Sequence, residues 1–169
     1  MRTLANRITR LNRAVGLAAA WLALAMVLVT TLVVVQRYWF ASGSIRLQES
    51  ITVMHGVMFM LAAAYTLAAG DHVRVDVFYS RMTPRQRAWV NLLGTLVLLL
   101  PFCGFLLVVS TDYVATSWQI REASQEAGGL PYPLPALVKS CIPLTAGLLM
   151  LQGLALLLDS VATLRGVPE

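Results

Sequence analysis

The chain has 169 residues, 58% of them apolar and only 12% charged, where soluble domains carry roughly twice that share of charge. With a mean hydropathy of +0.72, so short a chain cannot hide its apolar side chains in water, which excludes both a soluble globular domain and a disordered one. Lys and Arg outnumber Asp and Glu by 13 to 8; in so apolar a chain that excess orients membrane spans rather than binding nucleic acid.

In chain order, residues 1–13 set Leu4, Ile8 and Leu11 at helical spacing with Arg residues on the other face. This predicts a short amphipathic helix on the inner leaflet of a bilayer. Four stretches then lack any Asp, Glu, Lys or Arg: Ala14–Val35, Ile51–Ala69, Ala88–Val109 and Ser140–Leu158, of 22, 19, 22 and 19 residues. Each matches the roughly 20 residues that carry a helix across the hydrocarbon core. Helices are required because lipid satisfies no backbone polar group. The first run is too long for a secretory signal, and Ala18-Ala19-Ala20 lies inside it, so it is expected to stay as an anchor. The expected fold class is an all-α integral membrane protein: an interfacial segment over 1–13, a four-helix membrane domain over 14–158 and a tail over 159–169.

The cations give the orientation. Arg2, Arg7, Arg10, Arg13, Arg74, Arg81, Arg85, Arg87 and Arg165 fall on one side of the spans, against Arg37, Arg46, Arg121 and Lys139 on the other. The positive-inside rule then puts both termini and the 70–87 loop in the cytoplasm, and the 36–50 and 110–139 loops outside. Tyr38-Trp39-Phe40 reads as an interfacial aromatic anchor. Thr83-Pro84-Arg85-Gln86 signals a helix start, with Thr as cap, Pro in the first turn and Gln completing a capping box. From there only Pro101 interrupts the helical pattern before Gly128-Gly129. A helix over Pro84–Ala127 would reach about 66 Å, so it should tilt, kink at Pro101 or project outward. Pro131-Tyr132-Pro133-Leu134-Pro135 predicts a stiff, extended return to the fourth span.

Few side chains could carry chemistry. Cys103 and Cys141 form neither a disulfide framework nor a metal-ligand spacing. His55 is the one ionisable residue inside a span; a proton relay or haem ligand competes there with a plain hydrogen bond to a neighbouring helix. No second membrane His completes a bis-His haem, and no span holds the carboxylate that a proton-coupled exporter needs. The broken helices and duplicated halves of stand-alone carriers are missing too. The pattern therefore points to an accessory or scaffold subunit, with no catalytic residue, cofactor or metal expected. Asn91, Gln152, Thr30 and Thr31 read as inter-helix hydrogen-bonding residues, and Ala62, Ala63, Ala64 and Gly94 as small positions where another subunit approaches closely.

Two loop segments are more specific than solvated connections. Gly70–Tyr79, with His72, Arg74 and Asp76, alternates valines with polar residues. Glu122–Pro131 sets Glu122 and Glu126 four apart, a spacing that disfavours a helix when both are charged. Either the helix ends between them or a cation compensates. Only Arg121 and Lys139 are near in sequence, so an Arg or Lys on a partner is expected to pair with one or both.

At these segments the chain resembles the small membrane subunit of tripartite ATP-independent periplasmic (TRAP) transporters, the DctQ-like family. The matching residues are His72-Val73-Arg74-Val75-Asp76 after the second span, and Glu122-Ala123-Ser124-Gln125-Glu126 with Gly128-Gly129-Leu130-Pro131 after the third. Lys139-Ser140-Cys141-Ile142-Pro143-Leu144 and Leu47-Gln48-Glu49 match as well, and the likeness spans about 14–160. The resemblance implies a sodium-coupled uptake system in a bacterial inner membrane. A DctP-like periplasmic binding protein would deliver an organic acid or related solute to a large, DctM-like subunit, which this chain would brace. It also implies that Glu49, His72, Arg74, Asp76, Glu122, Ser124, Glu126, Gly128, Gly129 and Lys139 are partner-interface candidates. Two other classes remain open: a haem-bearing anchor of a respiratory enzyme, and an independent homo-oligomeric carrier.

Overall fold

The structure, a computed structural model, describes residues 2–70 and 79–165. Among the described residues, four helices are long and apolar enough to cross a membrane. We label them α1 (Arg2–Trp39), α2 (Ile45–Ala69), α3 (Pro84–Gln119) and α4 (Leu134–Leu164). Each contains one of the four uncharged stretches and extends beyond it, because lipid sets the apolar length while capping residues decide where helices stop.

The N-terminal segment is helical, as its spacing predicts, but it runs unbroken into the first span instead of forming a separate element. The reason lies in the face opposite Leu4 and Leu11, which stay exposed. Ala5, Asn12, Gly16 and Ala19 recur at helical intervals and are buried against the protein. A Cβ on Gly16 would sit 2.6 Å from Tyr65 Cγ, so α1 and α2 cross where only glycine fits.

Capping residues set the start of α3. The Thr83 hydroxyl accepts the Gln86 N–H, and the Gln86 side chain returns to the Thr83 N–H at 2.9 Å. Arg87 donates to the Tyr79 and Ser80 carbonyls and lies over the Tyr79 ring. Within α3 the turn before Pro101 is π-helical, Thr95–Leu99, with the Leu100 N–H reaching back to the Thr95 carbonyl. Pro101 has no N–H to offer, and the widened turn accommodates that gap in the hydrogen-bond ladder.

At its C-terminal end α3 stops at Gln119, eight residues short of the expected Ala127. The Arg121 N–H donates to the Trp118 carbonyl and the Glu122 N–H to that of Ser117, while Arg121 adopts φ +50°. This is a Schellman termination built on an arginine, so the glycine that usually marks such an end is absent from the sequence. The Pro131–Pro135 run is also a turn rather than an extended strut: the Leu134 N–H bonds to the Pro131 carbonyl and α4 begins at once. At its far end α4 continues to Leu164, taking in most of what the sequence offered as a tail.

α4 is the central element and packs against all three other helices. A third of its most apolar window is buried, against 6–11% for the other spans. Apart from Leu148, its buried positions are small or polar: Ala136, Thr145, Ala146, Gln152, Gly153, Ala155, Ser160 and Ala162. Small residues let helix backbones approach where lipid provides no hydrophobic drive. A Cβ on Gly153 would meet Leu99 Cδ2, on the π turn of α3, at 3.0 Å. The large apolar side chains, including Trp21, Val27, Leu98, Phe102, Phe105 and Val108, point outward, the arrangement expected when the solvent is lipid.

Candidate functional site

The candidate residues that the structure describes gather at one end of the bundle, where the α3–α4 connection folds over the start of α2. Ser44 caps α2 by accepting the Leu47 N–H, and this sets Glu49 in the second turn, facing the connection. One Glu49 carboxylate oxygen accepts the Ser124 hydroxyl and the other accepts the Leu130 N–H at 2.7 Å. Ser124 and Leu130 are themselves joined, Ser124 N–H to Leu130 carbonyl at 2.9 Å. The loop between them turns through the Gly129 N–H to the Glu126 carbonyl and the Glu126 N–H to the Ser124 hydroxyl oxygen. A single carboxylate therefore clamps both ends of the 124–130 loop.

Both glycines follow from this geometry. Gly128 adopts φ +81°, which favours a residue without Cβ. A Cβ on Gly129 would run into the Ser124 side chain and come within 2.7 Å of a Glu49 oxygen. The Gly-Gly pair is what lets the loop close on Glu49.

Beside this clamp lies an ion pair. Lys139 Nζ is 2.5 Å from Glu122 Oε2, and the same oxygen accepts the Ser117 hydroxyl at 2.6 Å. Tyr113 presents its ring 4.2 Å below the ammonium. Trp118 donates to Ser140 at 3.0 Å and meets Tyr132 edge-on. The Lys139 ammonium, with help from the Ser117 hydroxyl, holds the Glu122 carboxyl below its ordinary value of 4.5. The pair joins the end of α3 to the beginning of α4, so Lys139 and not a partner's Arg or Lys is the cation that Glu122 meets. Because α3 ends before Glu122, the helical repulsion between Glu122 and Glu126 does not arise either. A groove of about 410 Å³ lies against the clamp, lined by Thr52 and Val53 of α2, Leu130, and Pro135, Val138 and Lys139 of α4.

The structure thus unites Glu49, Ser124, Gly129, Glu122 and Lys139 and leaves Glu126 on the exposed rim. His72, Arg74 and Asp76 lie outside the described residues. Ser117, Tyr113 and the Leu130 N–H are partners that sequence reasoning missed. Ser117 lies five positions before Glu122 across a helix end that no glycine announces, and a backbone N–H leaves no trace in residue type.

At the opposite end, Asn12 is fully buried and donates to Gln152 Oε1 at 2.9 Å, while Gln152 donates to Thr9. Gln152 is therefore an inter-helix hydrogen-bonding residue, as read. Thr31 instead bonds the Val27 carbonyl of its own helix, and Asn91 pairs with the Tyr79 hydroxyl. Ala64 is buried within the chain, which removes it from any outer interface, whereas a Cβ on Gly94 would meet nothing within 4 Å.

The family model described as "Tripartite ATP-independent periplasmic transporters, DctQ component" matches residues 26–163. The chain belongs to the DctQ family. The match covers all of the clamp, the last three uncharged stretches and residues 26–35 of the first. A DctQ component is one part of a multi-part transporter, and the four helices make it a multi-pass membrane protein. No match was found among curated proteins or among solved structures.

Proposed function

We propose that this DctQ chain is the small permease subunit of a sodium-coupled transporter in a bacterial inner membrane. It works with a large membrane subunit and with a periplasmic binding protein that delivers an organic acid or related solute. Its own role is to brace and dock, without catalysis. The observation that carries this reading is the Glu49 clamp. A carboxylate at the start of α2 fixes the α3–α4 connection, and the Glu122–Lys139 pair ties α3 to α4, giving a held outer surface rather than a mobile loop. With Glu122 satisfied internally, Glu126 is the carboxylate left for a partner's Arg or Lys.

The nine-to-four cation distribution supports an orientation with both termini in the cytoplasm and the clamp outside. Reporter fusions at Arg13 and Glu169 should be active only as cytoplasmic reporters; alkaline phosphatase activity at either end would overturn this topology. The function is tested by uptake in liposomes holding both membrane subunits, with binding protein and a sodium gradient. Glu126→Gln should slow uptake without changing insertion. If the residue serves docking, excess binding protein restores the rate. If it serves bracing, excess does not, and the two subunits separate more readily in detergent.

A further inference from the structure

The outward faces of α1, α3 and α4 are apolar through the middle of the bundle, apart from threonines such as Thr31 that bond their own helix backbone. The outward face of α2 differs. Ile45, Gln48, Thr52, His55 and Phe59 are all exposed and recur at helical spacing along one line. His55 lies six residues beyond Glu49, about 9 Å down the helix axis, within the apolar stretch. Whereas Thr31 donates to its own helix backbone, the His55 imidazole makes no hydrogen bond with the described residues. Its ring stacks on Phe59, one turn deeper, with centroids 6.5 Å apart, rather than reaching up to the headgroups. Next to it Gly56 is an open notch, where a Cβ would meet nothing within 4 Å. Thr52, midway along the line, also borders the 410 Å³ groove beside the clamp.

We propose that this line on α2 is the seat of a membrane-spanning helix of the large transporter subunit, which packs into the Gly56 notch and offers a hydrogen-bonding group to His55. The inference deepens the functional reading above and rests on it. Lipid is a poor occupant because it leaves the imidazole unpaired in hydrocarbon, where polar groups are retained for a partner or a path. The notch gives a second helix the close approach that membrane packing relies on. The large membrane subunit of the functional reading above supplies such a helix.

The test uses the two membrane subunits co-expressed, with a photo-crosslinking amino acid at position 55 or 52, and at Phe102 on the apolar face of α3 for comparison. Crosslinks from 52 and 55 to the large subunit, and none from 102, are expected. His55→Leu should leave this chain's own thermal stability unchanged but lower recovery of the pair roughly threefold, the scale of one interhelical hydrogen bond in a membrane. His55→Gln should restore part of it. If the wild-type subunits do not co-purify, the functional reading fails, and this inference with it. If they co-purify but position 55 crosslinks to a second copy of this chain, or to no protein, the inference alone is overturned.

Discussion

The Glu49 carboxylate accepts the Leu130 N–H at 2.7 Å across 81 positions of sequence. The beginning of α2 and the exit of the α3–α4 connection are thereby fixed to each other. Glu122 and Lys139 repeat the arrangement over 17 positions. Glu49 and Glu122, both candidates for a partner interface, instead hold this end of the bundle in shape.

Gly129→Ala should damage this surface more than Ser124→Ala. The added methyl meets the Ser124 side chain and a Glu49 oxygen, an overpacking expected to cost about 1–3 kcal/mol, whereas Ser124→Ala removes a hydroxyl and leaves the Leu130 N–H on Glu49. Hydrogen exchange of the 122–130 amides in detergent or nanodiscs should rank Gly129→Ala fastest, Ser124→Ala next and wild type slowest. Equal exchange in the two variants would show that the close approach at Gly129 does not matter.

Arg121→Gly should stabilise the protein. Arg121 sits in the left-handed region at φ +50° and is exposed, a conformation that costs a residue with a Cβ roughly 1 kcal/mol and glycine little. A higher thermal midpoint is expected, less the small entropic cost of glycine in the unfolded chain. A lower midpoint would mean that the arginine side chain makes contacts that outweigh the strain.

The Glu122 pair has a defined pH behaviour. Its folded-state value lies below the ordinary 4.5, so the stability it adds is complete above pH 4.5 and is lost as pH falls through the lowered value. Carbon-13 NMR of labelled glutamate should therefore titrate Glu122 below the ordinary 4.5. Lys139→Met should move Glu122 upward, toward the ordinary carboxylate value. Identical titration of Glu122 in both proteins would dissolve the link to Lys139.

Asn12 and Gln152 should behave as a unit. Asn12→Leu alone leaves the buried Gln152 Oε1 without its donor, which in water-soluble proteins costs about 1–3 kcal/mol and in membranes averages nearer 0.6 kcal/mol. Adding Gln152→Leu should recover much of the loss, because both polar groups are then gone. Thermal midpoints of the two single variants and the double variant test this. Simple additivity would mean that the pair is not coupled.

Gly94→Trp and Ala63→Trp probe the outer faces. Neither position is buried within the chain, and space is open at Gly94, so the variants should insert normally. Where the large subunit covers the position, recovery of the pair should fall; unchanged recovery would assign that position to lipid. Ala64→Trp should instead destabilise the chain itself, since Ala64 is 1% exposed.

The sequence by itself determined the solvent, the number of spans and the start of α3, because each is a local property. Uncharged runs of membrane length can only be spans, and Thr83 through Gln86 cap a helix using four consecutive residues. It also picked out Glu49, Ser124, Gly129, Glu122 and Lys139 as unusual, without showing that they serve one another. The partners of Glu49 lie 75 and 81 positions away, and Asn12 finds Gln152 across 140; no spacing rule reaches that far. Only the tertiary structure decided where α3 ends, since its stop uses an arginine in a conformation that glycine normally signals. Packing likewise decided the face of α1, where Ala5, Asn12, Gly16 and Ala19 turn inward because α2 and α4 demand close approach, while the leucines that mark amphipathicity remain outside.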